Sequence, residues 1–107
     1  MAVVRVPTSK ITDWESFHDV FAQALQFADY YGRNKDAFDD MLYYPHPPDV
    51  GAGVGEGDTL ILYLDEPGDA FSARCPEQHA FLVDALGRAN AEGIERGAWI
   101  TLALAFR

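Results

Sequence analysis

A short stretch near the middle of the chain carries the densest set of side chains that could bind a charged ligand. Asp36, Asp39 and Asp40 fall within five residues, and Tyr43 follows them. At about 100° per residue, a helix brings these four side chains to one face. The opposite face then holds only apolar residues: Ala37, Phe38, Met41 and Leu42. A carboxylate face of this kind can pair with arginine and lysine of a partner or hold a divalent cation, although many such faces are merely solvated.

Other residues with reactive side chains lack the spacing that their chemistry requires. His46 lies two residues after the acidic helix, but neither an H-x₃-H nor an HExxH pattern accompanies it. The glycine-rich segment 51–57 precedes a strand instead of opening a helix, so it indicates a flexible linker and not a phosphate-binding loop. Cys75 is the single cysteine, which excludes an internal disulfide and a cysteine-based metal site. We therefore expect no catalytic residue, no metal and no cofactor.

The elements that must position the acidic stretch follow from hydrophobic periodicity and from capping residues. We predict strands at 2–7, 59–64 and 98–105, and helices at 13–26, 35–44, 69–73 and 76–92. The 59–64 strand is apolar almost throughout, which is typical of a strand covered on both faces. Strands separated by helices pair in parallel through crossovers. The fold class is therefore α/β, with a small three-stranded parallel sheet layered with helices.

The ends of these elements carry their own signals. Thr12 is the expected N-cap of the first long helix, with Glu15 completing a capping box, and Asn34 is the expected N-cap of the acidic helix. Gly32 is expected to have a positive φ, and Gly93 to end the last helix. Residues 45–57 are rich in proline and then glycine, so they are predicted to form a mobile loop.

Length and charge narrow the classes of function. A chain of 107 residues is predicted to form one domain spanning 1–107. Its 17 acidic and 8 basic residues give a net charge of −9, which disfavours nucleic acid as a ligand and favours a basic partner or solubility alone. No apolar stretch approaches the roughly 18 residues of a membrane span, and the N-terminus does not resemble a secretory signal. We expect a cytoplasmic protein that binds neither membrane nor nucleic acid.

The segment 29–42, which reads DYYGRNKDAFDDML, resembles the central motif of the barstar family. Five residues match motif positions: Tyr30, Gly32, Asn34, Asp36 and Asp40. Barstar-like proteins are intracellular inhibitors of small secreted-type ribonucleases, and their fold is a three-stranded parallel sheet with helices. The resemblance implies that the loop and the acidic helix plug the nuclease active site. It also implies that Asp40 takes the place of the substrate phosphate.

The resemblance implies a 1:1 complex with a small basic ribonuclease. The matched motif positions, together with the acidic face of the helix and its flanking residues, give the expected partner-binding set: Tyr30, Tyr31, Gly32, Arg33, Asn34, Asp36, Asp39, Asp40 and Tyr43. Two positions depart from the family pattern. Asp39 stands where the family has a large aromatic residue, and Arg88 stands where the family has an interface acid. Lys35, four residues before Asp39, is expected to offset part of its charge.

Two alternatives remain at this point. The first is a metal- or ligand-binding α/β domain that uses the Asp36, Asp39 and Asp40 cluster. The second is an immunity protein that acts on the same scaffold against a toxin other than a ribonuclease.

Overall fold

The computed structural model describes residues 1–97 and 99–107 and contains a parallel sheet and four α-helices in this part of the chain. The strands are β1 (Ala2–Val6), β2 (Thr59–Leu64) and β3 (Thr101–Phe106). The helices are α1 (Trp14–Leu25), α2 (Lys35–Tyr43), α3 (Ala70–Arg74) and α4 (Pro76–Arg96). The predicted α/β class and three-stranded parallel sheet are confirmed. The strand predicted at 98–105 begins at Thr101, and Ala98 lies outside the described residues.

The sheet has the order β1-β2-β3, and both pairings are parallel. Along β2 the side chains of Leu60, Leu62 and Leu64 are buried, whereas the residues between them are partly exposed. The prediction that this strand is covered on both faces is therefore wrong. The helices shield one face of the sheet, and the alternation of burial follows from the two-residue period of a strand.

An aromatic cluster joins α2 to the other helices. Phe38 is fully buried, and its ring centroid lies 5.1 Å from that of Phe17, 5.4 Å from that of Phe21 and 5.5 Å from that of Phe81. Since Phe17 and Phe21 belong to α1 and Phe81 belongs to α4, the predicted apolar face of α2 packs between these two helices. Its polar face is consequently turned outward.

Two predicted helix ends are displaced. The N-cap of α1 is Asp13 and not Thr12: Asp13 Oδ1 accepts a hydrogen bond from Ser16 N at 2.8 Å, and Ser16 Oγ accepts one from Asp13 N at 3.0 Å. The Ser16 hydroxyl, which donates to Asp13 Oδ1 at 2.7 Å, and the Ser16 backbone N–H hold the pKa of the Asp13 carboxyl below its usual value. Helix α4 continues past Gly93 and ends at Gly97, whose φ is +77°.

Gly93 is required for packing within α4 instead of for ending it. A Cβ at this position would lie 2.5 Å from Cδ1 of Trp99, which is closer than real Cβ contacts. The missing side chain therefore lets the indole of Trp99 lie directly on the helix.

The 45–57 segment, predicted to be a mobile loop, lies against the loop that follows α1 and contacts the core. Val50 is fully buried and forms a β-bridge with Phe27. Backbone hydrogen bonds join Ala28 N to Asp49 O at 2.9 Å and Ala52 N to Leu25 O at 3.0 Å. Three apolar side chains, Pro45, Val50 and Val54, attach this proline- and glycine-rich segment to the core.

Within residues 1–97 and 99–107, none of the helices combines the length and the apolar character needed to cross a membrane.

Candidate partner-binding site

The outer surface of α2 carries two rows of side chains. Residues spaced by four lie one above the other on a helix. Lys35, Asp39 and Tyr43 form one row, which lies beside α4 and is called here the α4-facing row. Asp36 and Asp40 form a second row, called here the open row, and both of its side chains are exposed. The two rows differ in how their charges are neutralised.

Lys35, at the start of the α4-facing row, rests on aromatic rings. Its Nζ atom lies 4.6 Å from the ring centroid of Trp14 and 5.8 Å from that of Phe81. Cation–π attraction of this kind is strongest over tryptophan. The expected offset of Asp39 by Lys35 is not found, because Asp39 has a different cationic partner.

That partner is Arg88 on α4. Its Nη2 atom donates to both carboxylate oxygens of Asp39, at 2.9 and 3.1 Å, and its Nη1 atom pairs with Asp84. The side chains of Asp39 and Arg88 are 37% and 43% exposed, so the ion pair lies at the surface but is not fully solvated. The two positions that depart from the family pattern therefore contact each other.

Arg96 completes the contacts between α4 and this row. Its guanidinium carbon lies 4.1 Å from the ring centroid of Tyr43, and Nη2 donates to the Tyr43 carbonyl oxygen at 3.3 Å. A cation at the end of α2 also interacts favourably with the negative end of the helix dipole. Tyr43 keeps 44% of its surface exposed, so its ring still reaches solvent.

The open row has no such partners. Among the residues that the structure describes, neither Asp36 nor Asp40 forms an ion pair. Asp36 lies in the first turn of α2, where the helix dipole favours a negative charge, and Asp40 lies one turn further on. These two carboxylates are the exposed negative charges of the helix that α4 leaves uncompensated.

The loop that precedes α2 directs its two tyrosines differently. Tyr30 is 68% exposed, whereas Tyr31 is only 8% exposed, with its ring centroid 4.7 Å from that of Phe27. The Tyr31 hydroxyl and His18 Nδ1 form a buried hydrogen bond of 2.6 Å. Tyr31 thus anchors the loop to α1, and Tyr30 is the one of the pair that is available to a partner.

The hydrogen bond between His18 and Tyr31 joins two groups that burial keeps neutral. Burial lowers the pKa of His18, as does the positive charge of Arg33, while Asp19 acts in the opposite sense. Burial likewise raises the pKa of the Tyr31 hydroxyl. Sequence reasoning overlooked His18 as part of this site. The signal was present, since His18 lies four residues after Trp14 and three before Phe21, on the apolar face of α1.

Backbone geometry at 32–34 differs from expectation at one residue. Arg33, with φ +56°, takes the left-handed conformation that was expected of Gly32. Arg33 Nη1 pairs with Asp19 Oδ1 of α1 at 2.5 Å, so the residue with the unusual backbone is tied to α1 by its side chain. The predicted cap is confirmed: Asn34 Oδ1 accepts a hydrogen bond from Ala37 N at 2.7 Å.

A shallow cavity of about 480 Å³ opens beside this loop and the start of α2. It is lined by side chains of α1 and of the loop: Trp14, Glu15, His18, Arg33, Asn34 and Lys35. Its charges are mixed, because Glu15 faces the same space as two cations. The cavity extends the candidate site from α2 towards α1.

No observation favours a metal at this site. Among residues 1–97 and 99–107, no three histidine, cysteine, aspartate or glutamate side chains are grouped so that they could hold a metal ion. His46, the histidine nearest in sequence to the acidic helix, has Nδ1 2.5 Å from the carbonyl oxygen of Pro47.

The geometry agrees with the comparison to known protein families. A family model described as Barstar (barnase inhibitor) matches residues 1–105. No curated protein matches the chain.

Proposed function

The chain belongs to the barstar family, and from that premise we propose that it inhibits a small basic ribonuclease by occupying its active site in a 1:1 complex. A role as ribonuclease inhibitor, or a related immunity role, follows from the family. The target, the contact residues and a cytoplasmic location are the parts that we propose.

One observation carries the proposal further than the family alone. The open row presents Asp36 and Asp40 to solvent without an ion pair among the described residues. A ribonuclease site is built from arginine, lysine and histidine because it must bind phosphate. Carboxylates that are already fixed on a helix can pair with such cations at short distance. Since a carboxylate offers no bond to cleave, the nuclease would be occupied without turnover.

The loop and the helix are organised before any partner arrives. Tyr31 anchors the loop, and Asn34 caps α2, so Tyr30, Asp36 and Asp40 are presented from a fixed backbone. Ordering a flexible segment on binding would cost free energy, and a preorganised surface avoids that cost. We propose that Asp40 occupies the phosphate position and that Asp36 and Tyr30 contact the rim of the cleft. Gly32, Arg33, Asn34 and Tyr43 complete the proposed surface, and Asp39 lies at its edge in the ion pair with Arg88.

Titration of purified ribonucleases tests the proposal. Increasing amounts of the protein are added to a panel of small basic bacterial ribonucleases that includes barnase, and cleavage of a fluorogenic RNA is followed. We expect at least one enzyme to lose activity in proportion to added protein, with the end point at equal molar amounts. If every enzyme in the panel keeps its activity, the ribonuclease-inhibitor proposal fails and an immunity role against another toxin takes its place.

Asp40→Ala is the variant that tests the proposed central residue. Removing one partner of a buried charge pair costs about 2–5 kcal/mol of binding free energy, because the other charge is left unpaired. We expect the inhibition constant to rise accordingly. Thermal unfolding should be unchanged, since Asp40 is exposed and forms no ion pair among the described residues. Asp49→Ala, which also removes one exposed acid, is the matched control and should inhibit like the unmodified protein. Unaltered inhibition by Asp40→Ala would show that its proposed role is wrong.

A further inference from the structure

The acidic helix is negative on one side only. Of its three aspartates, Asp39 is neutralised by Arg88, whereas Asp36 and Asp40 are not neutralised by any residue that the structure describes. Arg88 and Arg96 both reach from α4 to α2, and Arg88 meets the middle of the helix while Arg96 meets its end. The uncompensated negative surface is therefore a narrow strip, bordered along α4 by Arg96 and by Arg88, which is paired with both Asp39 and Asp84.

This border affects any cation that approaches α2 from the α4 side. Such a cation would have to displace Arg88 from Asp39, and Arg88, still held by Asp84, would remain beside it as a like charge. Like charges placed opposite one another across an interface suppress the wrong partners. By contrast, a cation that approaches over the open row meets two carboxylates and no competing arginine.

Resting on the function proposed above, we infer that Arg88 is a specificity-determining residue. It withdraws Asp39 from the acidic surface, and it selects a ribonuclease whose basic cleft is narrow. The selected enzyme places its cations opposite Asp36 and Asp40, and not at the edge formed by Arg88 and its two partners, Asp39 and Asp84. A ribonuclease with a further arginine or lysine at that edge is disfavoured.

Neutralising Arg88 tests this inference. Arg88→Gln keeps a polar but shorter side chain and removes the charge, so Asp39 becomes available. Arg5→Gln is the matched control: Arg5 is 67% exposed on β1 and is paired with an acid, Asp65, so the same charge is removed at a site remote from α2. Dissociation constants of the unmodified protein and of both variants are measured by calorimetry against the same ribonuclease panel.

We expect Arg88→Gln to reduce selectivity. Ribonucleases that the unmodified protein binds weakly should bind about tenfold more tightly, because a like-charge contact has been removed and a carboxylate gained. The enzyme that is bound most tightly should gain nothing or lose affinity. Arg5→Gln should change all affinities by a similar small factor. The inference is overturned if Arg88→Gln changes every affinity equally or behaves like Arg5→Gln.

Asp39 provides a second route that does not depend on how well Arg88→Gln folds. In Asp39→Asn, Arg88 keeps only Asp84 as its partner and this edge loses one negative charge, so binding of the weakly bound ribonucleases should become weaker still. No change in Asp39→Asn would contradict the inference. If neither the unmodified protein nor any variant binds a ribonuclease of the panel, the proposed function fails, and the inference fails with it. Binding without altered selectivity removes the inference alone.

Discussion

Phe38 connects the apolar face of the acidic helix to the aromatic cluster of the core. It is fully buried among rings of α1 and α4, while Asp39 and Asp40 follow it directly on the other side of the helix. Phe38→Ala should lower the free energy of unfolding by about 3–5 kcal/mol, because it removes a large buried ring and leaves a cavity. Chemical denaturation measures this directly.

The same variant separates folding from recognition. Loss of inhibition by Phe38→Ala should match the loss of folded protein and should disappear at temperatures where the variant is folded. A variant that is fully folded and yet fails to inhibit would contradict the assignment of Phe38 to the packing face.

His18 makes stability depend on pH. Burial holds its pKa below the ordinary value of 6.5, so the folded state binds a proton less readily than the unfolded state does. The stability that neutral His18 contributes is therefore complete above about pH 6.5 and is lost as pH falls through its lowered pKa. The free energy of unfolding, measured from pH 7.5 to pH 5, should decline in the unmodified protein.

Replacement of individual histidines assigns this acid sensitivity. His18→Asn should be less stable at pH 7.5, since the hydrogen bond with Tyr31 is altered, but should show a smaller further decline towards pH 5. His46→Asn, at an exposed loop position, should decline like the unmodified protein. Equal pH dependence in all three proteins would show that His18 does not contribute.

At the level of the elements, α2 was the most predictable part of the chain. Its cap, its apolar face and its acidic face depend on residues within a few positions of one another, and all three are confirmed. The ends of α1 and α4 were misplaced for two reasons. Asp13, next to Thr12, is also a good capping residue and is the one that caps α1. Gly93 lies inside α4 because a larger side chain there would clash with Trp99, and not because the helix ends there.

The contacts that complete the candidate site could not be derived from local pattern. Asp39 and Arg88 are separated by 49 positions, and His18 and Tyr31 by 13, so their pairing depends on how α1, α2 and α4 pack. Val50 forms a backbone β-bridge with Phe27 and has a buried side chain, within a segment whose composition otherwise indicates a linker. Sequence therefore predicted which residues are acidic and exposed, but not which of them are neutralised.

Asn34 connects the first turn of α2 to the loop that precedes the helix. Its Oδ1 atom caps Ala37 N, and its Nδ2 atom lies 3.4 Å from the carbonyl oxygen of Gly32. Asn34→Ala should lower the free energy of unfolding by about 1 kcal/mol, which is typical for loss of an N-cap. Asn34→Asp, which keeps a capping oxygen, should retain stability. If both variants unfold at the same temperature, the cap does not stabilise α2.

On the scale of the whole molecule, negative charge is concentrated in the part of the chain that carries the site. Between residues 29 and 69 there are ten acidic residues and only two basic ones, Arg33 and Lys35. Among the residues that the structure describes, four of these acids form ion pairs: Asp39 with Arg88, Asp58 with the terminal amine, Asp65 with Arg5 and Glu66 with Arg74. The remaining negative charge of this region produces a long-range field that attracts a basic protein.

This field should make association with a basic ribonuclease fast and sensitive to salt. Electrostatically steered pairs associate at about 10⁸ M⁻¹s⁻¹ or faster at low ionic strength. Exposed charges more than about 8–10 Å apart are screened at physiological salt, whereas charge pairs buried in the complex are screened much less. Stopped-flow mixing across a range of NaCl concentrations should therefore show an association rate that falls steeply and a dissociation rate that rises little. Asp40→Ala should mainly accelerate dissociation, since it removes a contact and only one of many charges. An association rate that is constant across the salt range would mean that the net charge of −9 does not steer the encounter.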